Sequence, residues 1–342
     1  PGAYTVVETD VVGYASSTPN TINTTVVAGV PLLNQNFGDI LSTISGKVYL
    51  DKAVSNSTYD VTDIGLVSVK VELLNSANVV ISTVYTDASG NYMFMDIKAG
   101  SYTIRETQPT EYVSTENGVS IPVTIVAGID SVNNNFGEKG GSISGYLYID
   151  LDKDNLRDVG EGGLSGQVVS LVTGSGTLTT STDATGYYIF NDLATGTYEV
   201  MKSMVSGYTN EMPVSGTPFI GNVSVQNEIS DVLMMFPGVN AVNYNFGHIP
   251  LVDISGSVWY DVNRDGVKDV GETMMLSGVT INLKDSTGTV VATVTTDVSG
   301  NYTFSQVEVG VYTVEEVQPA GYGSSTPNTI TVSALTDMDV TG

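Results

Sequence analysis

The chain has 342 residues, enough for two or three domains. Its 37 Asp and Glu against 12 Lys and Arg leave a formal charge of −25, which repels nucleic acid and anionic lipid and sets both aside as partners. Hydrophobic residues make up 41%, too many for a disordered acidic tail, cysteine is absent, and a lone histidine, His248, excludes multi-His metal sites and speaks against a catalytic triad. No apolar run approaches the ~18 residues of a membrane span. Pro1 opens no signal-peptide pattern, so the chain reads as processed or as an excerpt.

Taken in order, the elements repeat. Residues 1–40 begin with the phrase Gly2-Ala-Tyr4-Thr5 and end with Asn34-Gln-Asn36-Phe37-Gly38. Residues 41–140 repeat both phrases, at Gly100–Thr103 and Asn133–Gly137. Residues 141–250 carry the variant Gly196-Thr-Tyr198-Glu199 and then Asn243–Gly247. Residues 251–342 carry Gly310–Thr313 and stop before an Asn-x-Asn-Phe-Gly phrase. The three phenylalanines Phe37, Phe136 and Phe246 are 99 and 110 residues apart, so each repeat is a whole domain. The expected organisation is therefore the last strands of a preceding repeat (1–40), two full repeats (41–140 and 141–250) and a repeat lacking its last strand (251–342), a window on a longer array.

Within each repeat the pattern has period 2. Ile44/Val48/Leu50, Ile143/Leu147/Ile149 and Ile254/Val258/Tyr260 share one face of their strands, and Val69/Val71/Leu73 and Val279/Ile281/Leu283 do the same. Thr-Asp-x-x-Gly at Thr86, Thr182 and Thr296 reads as a tight turn into a strand whose aromatics, such as Tyr92 and Phe94, are core. Tyr49, Tyr148 and Trp259 fall on the opposite, outward face, where they either cover the domain edge, the reading expected, or meet a neighbouring molecule. With no sustained 3.6 period, the fold predicted is all-β: a tandem array of antiparallel β-sandwiches of Ig-like or prealbumin-like type.

The most specific signal is Asp261-Val-Asn-Arg-Asp265-Gly266-Val-Lys-Asp269-Val-Gly-Glu272, which fits D-x-[DN]-x-[DN]-G-x5-E. Calcium takes six to eight oxygens, and the spacing supplies them. The candidate ligands are Asp261, Asn263, Asp265, the Val267 carbonyl, Asp269 and Glu272. A second copy offers Asp150, Asp152, Asp154, the Leu156 carbonyl, Asp158 and Glu161, with Asn155 in place of the glycine. The first repeat departs from the pattern: Ala53 and Ser55 stand at ligand positions, and no tight site is expected from Asp51, Asp60 and Asp63. Strands, not paired helices, flank these loops, so the ion is expected to staple a loop and not to throw a sensor switch.

The phrases Ile-Ser-Gly-x-Val-Trp-Tyr-Asp with its carboxylate loop, Leu-Ser-Gly-Val-Thr-Ile-Asn-Leu, Thr-Asp-x-x-Gly-Asn-Tyr-Thr-Phe and Asn-Phe-Gly resemble the B domains of serine–aspartate repeat surface proteins. More broadly they are similar to the Cna B-type, transthyretin-like β-sandwich. The resemblance implies calcium-stiffened sandwiches, without enzymatic activity, on the surface of a bacterium or archaeon, partnered by neighbouring repeats or by copies of the same protein. The function expected is a stalk or filament shaft. The alternatives are an adhesin module, for which the apolar stretch Met204–Met235 with Met212 and Met234 is the candidate surface, an accessory region of a secreted enzyme, and a subunit that polymerises by strand donation. Some Cna B-type domains carry an isopeptide bond; Lys47, Glu106 and Asn133 or Asn135 are the residues to consider, but Lys47 falls on the outward face and no crosslink is expected. Sequons stand at Asn23, Asn56, Asn222 and Asn301, and His248 with Pro250 is expected to pack or stiffen a joint.

Overall fold

The computed structural model describes residues 1–52, 58–115, 118–234, 236–334 and 340–341. Every regular element among them is a β-strand. The chain forms two compact units, one of residues 1–143, 190–196 and 233–240, the other of residues 144–189, 197–232 and 241–342.

In the first unit, Gly2–Val7 pairs with Thr21–Val26 and Ala15–Ser16 with Asp39–Ile40. The first full repeat follows as two facing sheets. One runs Ser120–Ile125, Gly100–Glu106, Lys70–Asn75, Val80–Tyr85; the other runs Val113–Ser114, Phe136–Lys139, Ser42–Leu50, Ile64–Gly65, with Asn91–Ile97 also on Ser42–Leu50. Alternation places Ile44, Val48, Val71, Leu73, Phe94, Ile104 and Phe136 between the sheets, each at most 1% exposed. Burying such a side chain contributes about 1.5–3 kcal/mol, which is why period 2 dominates these strands.

Most pairings are antiparallel, but the Asn-Phe-Gly strand runs parallel to the first strand of its own repeat: Phe136 lies opposite Val48, Gly137 opposite Tyr49 and Glu138 opposite Leu50. Three of the repeated phrases meet at this junction. A Cβ on Gly46 would stand 1.9 Å from the Asn134 carbonyl oxygen, so only glycine fits. The Tyr92 hydroxyl donates to that same carbonyl, and the Asn135 side-chain oxygen accepts the Lys47 N–H at 2.9 Å.

In the second unit the junction recurs. Leu147, Tyr148 and Ile149 lie parallel to Phe246, Gly247 and His248; the Tyr188 hydroxyl donates to the Tyr244 carbonyl at 2.6 Å; and a Cβ on Gly145 would meet that oxygen at 1.9 Å. Val168–Thr173 pairs with Gly176–Ser181 and with residues 199–202. The third repeat builds the sheet Val290–Thr295, Thr280–Lys284, Gly310–Glu316, Thr329–Ala334 over Ile254, Val279, Ile281, Leu283 and Phe304.

One continuous strand, Phe246–Ser257, closes the second repeat and opens the third. Its first half pairs with Leu147–Ile149, and its second half pairs with Asn301–Glu308. Pro250 sits within this strand and not in a bend. It has no N–H to give, and its carbonyl accepts the Val309 N–H at 3.1 Å.

The outward reading of Tyr49 and Tyr148 needs correction. They are 1% and 0% exposed, because loops cover that face as well; the Tyr59 ring stands edge-on to Tyr49 at 5.4 Å. Trp259 is half-buried, with its indole N–H unpartnered among the described residues.

Candidate metal centres

The Gly141–Ile149 strand delivers Asp150 fully buried at the mouth of its loop. One Asp150 oxygen accepts the Lys153 N–H at 2.6 Å and the other the Asn155 N–H at 2.8 Å. At the far end Glu161 accepts the Leu151 N–H at 3.1 Å and the Asp158 N–H at 2.9 Å. Lys153 and Asn155 both have φ of 66°, so Asn155 fills the glycine position by adopting left-handed backbone. This chain path gathers Asp150, Asp152 and Glu161, and again Asp152, Asp154 and Asp158, with one carboxylate oxygen from each within 4.8 Å of the others. Burial, followed by the neighbouring Asp154 charge, raises the Asp152 carboxyl above its ordinary value.

The Asp261 loop repeats the hydrogen-bond pattern atom for atom. Asp261 accepts the Arg264 N–H at 2.6 Å and the Gly266 N–H at 2.8 Å. Glu272 accepts the Val262 N–H at 2.7 Å and the Asp269 N–H at 3.1 Å. Gly266 has φ of 76°. The Asn263 amide donates to Asp265 at 2.9 Å and to Asp269 at 3.0 Å, drawing the middle ligand positions together. Three carboxylates do not converge here as they do around Asp152, since position 3 is an amide.

The donor sets suit a hard cation. Carboxylate oxygens keep lone pairs after accepting one N–H each, and Leu156 and Val267 lie where the pattern calls for a carbonyl. The first repeat's loop keeps the end of this pattern but not its donors. Asp63 accepts the N–H groups of Lys52 and Asp60, as Glu161 does those of Leu151 and Asp158, and Asp60 accepts the backbone and hydroxyl of Thr62, but Ala53 and Ser55 stand where the other loops carry Asp or Asn. Ala53 and Ser55 lie outside the described residues.

Glu211 escaped the sequence reading. It lies about fifty residues beyond the loop, so no spacing rule reaches it. The fold brings it to Asp150, with one oxygen buried and unpartnered among the described residues. Burial first, and the adjacent Asp150 carboxyl after it, push Glu211 up to about 8. The same loop reaches the third repeat through Lys153, whose ammonium meets Glu308 at 2.8 Å.

The other marked residues sort themselves. The Lys47 ammonium lies 4.7 Å from the Tyr59 ring centroid and donates to the Ser89 carbonyl, on the surface side of its strand, while Glu106 is buried. His248 is fully buried, with Nδ1 at 3.0 Å from the Phe246 carbonyl; burial, then the Lys202 charge, lower it to about 4. Met204 is 75% exposed, Met212 38% and Met234 1%, so the stretch read as one apolar surface is divided between surface and interior. Met235 lies outside the described residues. Asn23, Asn222 and Asn301 are exposed, and Asn56 lies outside the described residues.

Comparison with known proteins agrees with this picture. Residues 42–136, 141–242 and 252–342 each match the SdrD B-like domain. The chain is 31% identical over 304 residues to serine-aspartate repeat-containing protein F of Staphylococcus epidermidis, covering 82% of this chain and 17% of that protein. It is 29% identical over 287 residues to serine-aspartate repeat-containing protein D of Staphylococcus aureus, covering 79% and 21%. Colossin-A of Dictyostelium discoideum is 31% identical over 312 residues, 85% of this chain but 3% of that protein. The chain thus spans at most about a fifth of these relatives. Among solved structures the Bacillus anthracis TIE protein aligns at 16% identity over 92% of this chain and 53% of that one, with a TM-score of 0.38. Three tandem matches covering most of the sequence make this chain a member of the SdrD B-like domain family.

Proposed function

We propose that this chain is a calcium-stiffened structural segment of an extracellular surface protein, serving as part of a stalk or filament shaft. The observation that carries it is the duplicate loop. Asp150/Glu161 and Asp261/Glu272 bind the same four backbone N–H groups, and the intervening side chains gather oxygen donors of the type calcium takes. Asp150, Asp152, Asp154, Asp158 and Glu161, with the Leu156 carbonyl, would hold one ion. Asp261, Asn263, Asp265, Asp269 and Glu272, with the Val267 carbonyl, would hold the other. Bound calcium supplies positive charge that offsets the mutual repulsion of four or five carboxylates in twelve residues. What the protein itself contributes is a rigid frame. Asp150 is fixed by the end of a core strand, and the continuous Phe246–Ser257 strand carries that rigidity from the second repeat into the third.

The test is calorimetric titration of calcium into chelator-treated protein, with melting followed in parallel. Two bound ions and a higher melting temperature are expected. Absence of binding at millimolar calcium, the weak end for extracellular modules, would overturn the reading. Electron microscopy of native material then distinguishes a continuous shaft from a short stalk bearing a head.

A further inference from the structure

The Gly100–Glu106 strand ends on Glu106, and the Phe136–Lys139 strand carries Glu138 directly after its Asn-Phe-Gly phrase. Both side chains are interior, at 3% and 0% exposure. Glu138 has polar company: the Gln108 amide donates to one oxygen and the Ser114 hydroxyl to the other at 3.4 Å. Both Glu106 oxygens are buried without a hydrogen-bond partner among the described residues.

Among the described residues the surroundings supply no balancing cation, and Lys52, next to Asp51, is exposed. Val71 lies opposite Glu106 on the adjacent strand, and Leu50 lies opposite Glu138. The Tyr92 hydroxyl is already committed to the Asn134 carbonyl. Asp51, itself buried, presents its backbone N–H to the Glu138 carbonyl at 2.8 Å. Arg105 and Lys70 both engage Glu72, Lys47 lies on Tyr59, and Lys139 is exposed. An ionised carboxylate buried without a partner costs several kcal/mol, and a second beside it costs more, whereas a protonated carboxyl is tolerated.

We propose that Glu106 and Glu138 form a buried proton-holding pair that makes the first repeat a pH-sensitive element, closed while the pair is protonated and loosened once both carboxyls ionise. Burial, and then the Glu138 charge, push Glu106 up to about 9; burial, opposed by Gln108 and Ser114, pushes Glu138 to about 7. Both values stand above the 4.5 of a free glutamate. The folded state therefore binds more protons than the unfolded one, and the stabilisation is full below about pH 4.5 and lost as pH rises through both values. The second repeat is an internal control. Lys202 ends the matching strand and His248 follows the matching Asn-Phe-Gly, both buried, so bases occupy the two places.

The test is a carbon-13 titration of the glutamate side-chain carboxyls in the whole chain, from about pH 4 to about pH 10, with Glu106→Gln and Glu138→Gln used for assignment. Two coupled midpoints well above the ordinary glutamate range are expected. Both carboxyls titrating near the free value would overturn the proposal. So would midpoints that rise only after chelation, since a bound metal and not a proton would then hold the pair. Amide exchange at Ile104 and Phe136, corrected for its intrinsic pH dependence, supplies the second reading. Protection should fall by up to roughly tenfold per pH unit for each ionising group, and Glu106→Gln should remove most of that slope. An unchanged wild-type protection across this range also overturns it, whether or not the variant folds.

Discussion

Thr86, Thr182 and Thr296 each donate a hydroxyl hydrogen bond to a carbonyl, of Leu66, Leu164 and Leu276, and each accept an N–H, from Val69, Gln167 and Val279. All three are at most 5% exposed. The first letter of the Thr-Asp-x-x-Gly phrase thus stitches the loop before a two-strand hairpin to the turn after it. Thr182→Val keeps the shape and strands one carbonyl and one N–H, so a loss of about 2–3 kcal/mol is expected in urea unfolding. Lys202 shows the opposite economy. Its buried ammonium donates to the Asn210 side chain and the Ser203 carbonyl and lies 6.0 Å from the Phe246 ring centroid, and burial lowers it to about 8 from 10.5. A depressed base means the unfolded state binds more protons only between those two values, so stability rises with pH across that window, and as pH falls to about 8 the full cost of the buried charge is reached. Lys202→Met should therefore raise stability near neutral pH, by about 1–2 kcal/mol after the orphaned Asn210 oxygen is counted, and flatten the slope above it; pH-dependent melting checks this.

At the scale of elements, the parallel closing strand is the feature on which each complete repeat depends. Gly46 and Gly145 permit backbone approach, Tyr92 and Tyr188 bond the approaching carbonyl, and Phe136 and Phe246 fill the core behind it. Gly145→Ala would force a methyl group against a backbone oxygen that has no flexible side chain to yield. A destabilisation of about 3 kcal/mol or more, visible as a lower melting temperature and loss of exchange protection at Phe246, is the expected outcome. The phrase pattern announced these residues, and the spacing placed them on strands. Their meeting was not legible, because Gly46 and Asn134 are 88 residues apart and only the closed sandwich sets one over the other. Tyr49 and Tyr148 mark the same limit: parity predicts which face a side chain takes, but not that loops then bury that face.

For the whole chain, calcium should act unevenly. Removal by chelator is expected to lower the protection of amides in the second and third repeats and leave the first nearly unchanged, since Ala53 and Ser55 replace the carboxylate and amide donors of the other two loops. Hydrogen exchange with mass spectrometry reads this repeat by repeat. At a hundredfold excess over Kd each ion contributes about 2.7 kcal/mol, and Glu161→Gln or Glu272→Gln should abolish that gain for its own repeat alone. Equal loosening of all three repeats would count against the assignment of the ions to these two loops.

Local order in the sequence determined the strand periodicity, the repeat length, the turns and the identity of the candidate calcium ligands, because each depends on residues within about a dozen positions of one another. Tertiary structure alone decided the rest. It brought Glu211 to Asp150, Lys153 to Glu308 and Glu106 towards Glu138, and it ran one strand unbroken from the second repeat into the third. Those outcomes depend on which chain segments lie side by side once apolar faces are buried. Long-range pairing and desolvation set that arrangement, and both arise only when the sheets close.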